Sequence, residues 1–268
     1  TVNEETGEIT TTEEAILGCG GALYINSNST FKGTNIVAVN NNADNGGFMY
    51  SGYSSITIDG DSDFIKNTAT SEEGQHGGGA FYLTDCTGSI NGAELSENTA
   101  ANGGAIAIFK SDDFKLDNCT LSKNTVTLTG GAIYVNTSTV ALSACKITES
   151  YGKGNGGVIY STTSTITIKD SELSENDGGN GLIYLTKTTL TSTNDKCLNN
   201  TSKYGVYHIN TKLHNRKGRM SPWGDGFDLH CLSPQRETIE ERLGQALAGG
   251  AECAPHLMDS NPSTTTKS

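Results

Sequence analysis

Arginine is missing from residues 1–210; all four, Arg216, Arg219, Arg236 and Arg242, come later. Proline and tryptophan are missing from the same stretch, since Pro222, Pro234, Pro255, Pro262 and Trp223 also follow it. No run of 18 apolar residues occurs, so no membrane-spanning helix is expected. Hydrophobic residues make up only 34% of the chain, which is little for a thick globular core. A thin solenoid needs fewer, because each rung covers its neighbours. Positive charge is scarce: 18 Lys and Arg face 30 Asp and Glu, a net of −12. That argues against nucleic acid, whose binders carry a basic footprint, and against docking on anionic lipid. The seven cysteines contain no CxxC pair, which disfavours zinc ribbons and thioredoxin-type redox chemistry. Their odd number leaves at least one thiol free or paired with another chain. The chain starts at Thr1 without Met, a basic n-region or an apolar h-region. It reads as a mature form or a fragment and leaves a signal peptide open.

What is present is glycine, 33 residues of it, and a repeat. Gly-Gly-Ala-Leu-Tyr begins at Gly20, Gly-Gly-Phe-Met-Tyr at Gly46 and Gly-Gly-Ala-Phe-Tyr at Gly78. Further copies begin at Gly103, Gly130 and Gly156, and weaker ones at Gly181 and Gly205. The Gly just before each apolar run recurs in steps of 26, 32, 25, 27, 26, 24 and 24 residues. The long step holds Ser71 to Gln75, read as an inserted loop beside His76. A second signature, an apolar residue followed three positions later by Asn, ends at Asn67, Asn98, Asn124 and Asn176, with a variant at Asn200 and Ser150 in place of Asn. Between them lie alternating β-branched segments such as Ser55–Ile58, Thr139–Leu142 and Thr165–Ile168, a strand signal. Repeats of this length with strands and no helical period predict an all-β fold. The expectation is a right-handed parallel β-helix of about eight rungs, each with two or three short strands. The boundaries read 1–18 for a lead-in or cap, 19–210 for the repeat domain and 211–268 for a non-repeat tail, partly helical or disordered.

Two columns should face inward. One reads Leu23, Met49, Phe81, Ile106, Ile133, Ile159, Ile183 and Tyr207. The other lies two residues on, from Ile25 to Ile209. The glycine column should take a bend that a Cβ would obstruct. The Asn column should bend the chain and hydrogen-bond adjacent rungs.

The paired Gly-Gly-Ala-Ile and Phe/Leu-x-x-Asn motifs over residues 19–210 resemble the repeats of the chlamydial polymorphic membrane proteins. Similar repeats occur in secreted proteins of protists. The resemblance implies a pectin-lyase-like β-helix with a surface-exposed, adhesive role. The chlamydial proteins end in an outer-membrane β-barrel, and no alternating strands of that kind follow residue 210 here. Some parallel β-helices are polysaccharide lyases or glycosidases. The lyases use Arg or Lys as base with Ca²⁺ on clustered Asp, and the hydrolases use grouped Asp carboxylates. The absence of Arg before residue 211 weighs against the first, and no Asp pair recurs on adjacent rungs for the second. The expected function is a non-catalytic extracellular or cell-surface protein, adhesive or structural. The alternative is a carbohydrate-active β-helix enzyme.

The most site-like cluster is Asp59, Asp61 and Asp63, whose alternating carboxylates suit a hard cation such as Ca²⁺; a solvated acidic turn is the commoner use, and no other cofactor is implied. Asp112, Asp113 and Asp117 read as a solvated face. Cys119 and Cys145, one repeat apart, should stack with Ser171, either as a disulfide or as buried thiols packing like small hydrophobes. Between the inward columns lies a column reading Tyr24, Tyr50, Tyr82, Ala107, Tyr134, Tyr160, Tyr184 and His208. Alternation places it outward. It either stiffens the sheet by ring stacking or offers an aromatic stripe to a glycan or another rod; inverted faces would leave it half-buried. Sequons at Asn28, Asn118, Asn136, Asn199 and Asn200 are candidate glycosylation sites. The partners expected are a glycan or protein on a cell surface, or further copies in a fibre, with neither nucleic acid nor membrane insertion. In the tail, Lys212 to Arg219 is basic, Thr238 to Ala248 suits one helix, and Cys231 suits pairing with Cys253. The tail is a cap for the open rod end, a linker, or sequence foreign to the repeat.

Overall fold

A computed structural model describes residues 18–71, 77–202, 204–209 and 212–215, with side chains through residue 202. The lead-in 1–17, His76 with most of its inserted loop, the Thr238–Ala248 helix and the Cys231–Cys253 pair lie outside the described residues. Those described form 28 short strands and no helix.

The strands wind into a parallel β-helix. Four strands make one rung, as in Phe81–Thr84, Thr87–Asn91, Glu94–Ser96 and Thr99–Asn102. Each strand pairs in parallel with its counterparts on the rungs before and after. The result is four sheets of eight, eight, seven and five strands, hence five four-strand rungs, two of three strands and the first two strands of an eighth. Isolated bridges from Tyr151 to Asp177 and on to Thr201 continue the fourth sheet. The sequence reading anticipated two or three strands per rung. The fourth was hidden because its members, such as Thr68–Ala69, are as short as two residues.

Alternation sends one face of each strand inward. Met49, Phe81, Ile106, Ile133, Ile159 and Ile183 on the first sheet, and Ile56, Phe114, Val140, Ile166 and Leu190 on the second, join one continuous buried core. Ser51 and Ser161 sit in the second inward column and are fully buried. Near one end the core is aromatic, with Phe48, Phe64 and Phe81 at ring-centroid distances of 4.6–5.4 Å. The inward columns are therefore as expected, except on the last rung. There Val206 pairs with Ile183, and Tyr207 pairs with Tyr184. Tyr207 thus occupies the tyrosine column rather than the inward one, and His208 sits opposite Leu185. The single Gly at 205 was aligned as the second of a pair, which shifted the expected register by one residue. The repeat also outlasts the composition break at 211, because Lys212–Asn215 pairs with Thr189–Ser192 on the second sheet.

The glycine pair has two jobs. Gly103 takes φ +61°, a left-handed conformation that side chains rarely adopt. Gly104 needs space instead: a Cβ there would stand 2.2 Å from the Gly131 carbonyl oxygen of the next rung.

Candidate functional site

Between the third and fourth sheets the chain turns a sharp corner. The residue that takes the left-handed bend is not the Asn but the one before it: Lys66 at φ 56°, Glu97 at 55°, Lys123 at 55° and Glu175 at 60°. This frees the Asn side chain to point inward. Asn67, Asn98, Asn124, Asn176 and Asn200 are all buried. Each amide oxygen accepts from the rung before it: the Asn67 N–H donates to Asn98 Oδ1 at 2.9 Å, and the Asn98 N–H to Asn124 Oδ1 at 3.0 Å. Each Nδ2 donates to a carbonyl of the preceding rung, as Asn98 does to Phe64 at 2.9 Å and Asn124 to Leu95 at 2.8 Å. The expected hydrogen-bonding of the Asn column is thus present. It satisfies buried backbone groups that a corner would otherwise strand.

The same arrangement corrects one glycosylation candidate. Asn200 is 3% exposed and its Nδ2 donates to Leu173 O at 2.7 Å, so the folded rod offers no free amide there. Asn28, Asn118 and Asn199 are exposed and Asn136 is partly so.

On the outer side of the first sheet the tyrosines do stack. The pairs Tyr24–Tyr50, Tyr50–Tyr82, Tyr134–Tyr160 and Tyr160–Tyr184 have centroids 5.1–5.3 Å apart and planes within 6–9° of parallel. Ala107 leaves a gap in the column. Phe109, two residues further along the same strand and on the same face, fills it. Its ring lies 5.0 Å from Tyr82 and 5.3 Å from Tyr134. Seven rings therefore form one unbroken ladder from Tyr24 to Tyr184. Ala107, Phe109 and Tyr134 are buried, in a cluster separate from the core, with Tyr82 and Tyr160 packed on it. The faces are not inverted; the ladder is outside the core and partly self-buried. Exposure runs from 59% at Tyr24 to 5% at Tyr134. Burial pushes the Tyr82 phenol up to about 12, helped by neighbouring Tyr50. Tyr50 and Tyr160 rise for the same leading reason. Rings stacked this closely cover one another's faces, so the ladder turns mainly edges and hydroxyls outward.

The remaining candidates separate. Asp59 ends a second-sheet strand, Asp61 lies on the bend and Asp63 opens the third-sheet strand. Among the described residues no three His, Cys, Asp or Glu side chains gather as a metal site, so the three carboxylates are not brought together. Asp113 pairs with Lys115 at 3.1 Å on the surface. Cys119 and Cys145 are buried thiols, not a disulfide. Their Sγ atoms donate to Ile90 O at 3.3 Å and Leu116 O at 3.2 Å. Cys145 is pushed well above the ordinary thiol range, first by its hydrogen bond with Cys119 and then by burial. Such thiols are inert packing groups. Ser171 continues the column, its Oγ accepting from the Cys145 N–H at 3.1 Å.

A ladder that the sequence reading missed runs between the first and second sheets. Ser111, Ser138 and Ser164 accept in turn from the backbone N–H of Cys86, Ser111 and Ser138, at 3.0–3.1 Å. Its signal was a Ser recurring two residues after the end of the Tyr-containing strand.

The fold and its stacked columns define a β-solenoid. The family model for a right-handed β-helix region matches residues 54–216, more than half of the 268-residue chain. The chain belongs to that family. No curated protein and no solved structure matches it.

Proposed function

We propose that this protein is a non-catalytic extracellular or cell-surface β-helix, acting in adhesion or as a structural surface component. The observation that carries the reading is the repetition of its outward polar columns in register. On the second sheet Thr30, Ser55 and Thr87 align, and so do Thr139, Thr165 and Thr189. A surface that repeats the same hydroxyl groups on successive rungs suits many weak contacts made together, where avidity replaces single-site affinity. The aromatic ladder adds stiffness to that surface. The likeness of the Gly-Gly-Ala-Ile and Phe/Leu-x-x-Asn motifs to the chlamydial polymorphic membrane proteins supports the same reading. Partners would be a glycan or protein on a cell surface, or other copies of this chain.

The test is a screen of immobilised neutral and acidic glycans and of whole-cell surfaces, with mass-spectrometric analysis of the glycans afterwards. Binding with unchanged glycans is expected. Cleavage of any acidic polysaccharide would replace this reading with the enzymatic one.

A further inference from the structure

The left-handed corner between the first and second sheets is occupied on successive rungs by Asn28, Tyr53, Asp85, Lys110, Thr137, Thr163 and Lys187, with φ between 44° and 61°. The winding of the rod requires this bend, and it turns each of these side chains away from the core. Six are polar or charged, as a solvated corner would have. Tyr53 is the exception. A bulky residue is uncommon at positive φ, and this one is 59% exposed. Its ring belongs to neither the core nor the aromatic ladder. The fold tolerates this aromatic group without using it, and such outliers are worth asking about function.

Together with Asn28, Thr30, Ser55, Asp85 and Thr87, Tyr53 lines a shallow, largely open depression of about 350 Å³ across three rungs. The rungs are locked together here: the Asn28 N–H donates to Tyr53 O at 2.7 Å, and the Tyr53 N–H to Thr84 O at 3.0 Å. The floor of the depression is already satisfied, since Ser54 Oγ donates to Gly52 O and accepts from the Ser29 N–H. The rim is not: among the described residues Asn28, Thr30, Ser55 and Thr87 make no side-chain hydrogen bond. Asp85 uses one carboxylate oxygen to accept from Thr84 Oγ1 at 2.9 Å and leaves the other open.

We propose that this depression is a saccharide-binding subsite for a neutral pyranose. The C–H face of such a sugar packs against the electron-rich face of an aromatic ring; among the described residues no ring stacks on Tyr53, whereas tyrosines within the ladder such as Tyr50 and Tyr160 are covered on both faces. The sugar's hydroxyls are paired donors and acceptors, matched by the hydroxyls of Thr30, Ser55 and Thr87, the amide of Asn28 and the carboxylate of Asp85. That carboxylate, on a chain of net charge −12, selects against acidic sugars. The proposal rests on the surface-binding reading above and gives it a location.

The test is saturation-transfer NMR on the whole chain, with the methyl glycosides of glucose, galactose and mannose as probes and glucuronic acid as the acidic comparator. Transfer to at least one neutral glycoside and none to glucuronic acid is expected. Tyr53→Phe should keep the signal. Tyr53→Asn, which suits the left-handed bend as Asn28 does, should weaken binding at least tenfold. Asp85→Asn should weaken it several-fold, and Tyr151→Ala, at an exposed tyrosine on another face, should not matter. No transfer to any neutral glycoside, or equal transfer to glucuronic acid, would overturn the site. Transfer that survives Tyr53→Asn would overturn it too, while leaving the surface-binding reading standing. That broader reading fails separately, if the glycan and cell screens bind nothing.

Discussion

Two ladders run along this rod, asparagine inside and aromatic outside, and each has one missing member. In the asparagine ladder the gap is Ser150. In the aromatic ladder it is Ala107. The outcomes differ. Phe109 leans into the aromatic gap and the stack continues. Nothing fills the asparagine gap: Ser150 Oγ turns to its own strand's Thr148 O, and among the described residues no side chain on that rung takes up the Asn124 N–H. The difference lies in the forces. Packing of apolar surface is non-directional, so a ring from two residues away serves. A hydrogen bond needs an acceptor at one distance and angle, and a serine is too short to supply it.

The comparison can be broken most severely from inside. Asn98→Ala would remove the acceptor for the Asn67 N–H and the donor to Phe64 O in a fully buried corner. Each stranded group costs ~1–3 kcal/mol, so a loss of about 3–5 kcal/mol is expected in urea unfolding. On the outside, Phe109→Ala would reopen the gap, at a cost of roughly 2–3 kcal/mol, since the ring is buried by other rings rather than by the core. Near-ultraviolet circular dichroism would report the broken stack, with the far-ultraviolet signal of the sheets retained. Ser150→Asn sharpens the comparison in the other direction. The corner already holds Asn on the rungs before and after, so a restored ladder should stabilise the rod by about 1 kcal/mol, read as a higher urea midpoint.

Alkaline pH separates the two ladders, because only the aromatic one titrates. Tyr82 ionises near 10 in an unfolded chain and is held to about 12 in the fold. Its contribution is therefore intact below pH 10 and is lost as pH rises from 10 toward 12. Tyr50 and Tyr160 act in the same direction. Phenolate absorbance should lag behind that of the urea-unfolded chain across this window, and Phe109→Ala should reduce the lag. The smallest effect belongs to the exposed corner. Tyr53→Asn should leave stability unchanged or raise it by a few tenths of a kcal/mol, since Asn accepts the left-handed bend more readily. A clear drop in the unfolding midpoint would show that the ring packs in a way its exposure denies.

What could be read in the chain follows a physical rule. A column that recurs at one offset on every rung is visible, because stacking imposes one environment on that offset. The glycine pairs, the Asn corner, the inward apolar columns and most of the tyrosines are of this kind. Features that break the recurrence were harder to see. Phe109 stands at an offset where the other rungs carry Asn26, Gly52, Thr84 and Asn136, so no column announces it. The last rung has a single Gly where six of the earlier rungs have two, and only the pairing of Tyr207 with Tyr184 sets its register. Asp59, Asp61 and Asp63 alternate as a strand would, but the chain turns a corner at Gly60 (φ +74°), which spreads them over two sheets.

The sequence by itself determined the architecture: the repeat length and the Gly-Gly and Asn motifs leave little but a parallel β-helix that buries one apolar face per strand. The tertiary structure alone decided which residues meet across rungs, because contacts between residues about 25 positions apart depend on exact register and on side-chain reach. It joined Phe109 to the tyrosines, buried Asn200 in the ladder, kept Cys119 and Cys145 as thiols, and left Tyr53 open beside Asp85 at the corner.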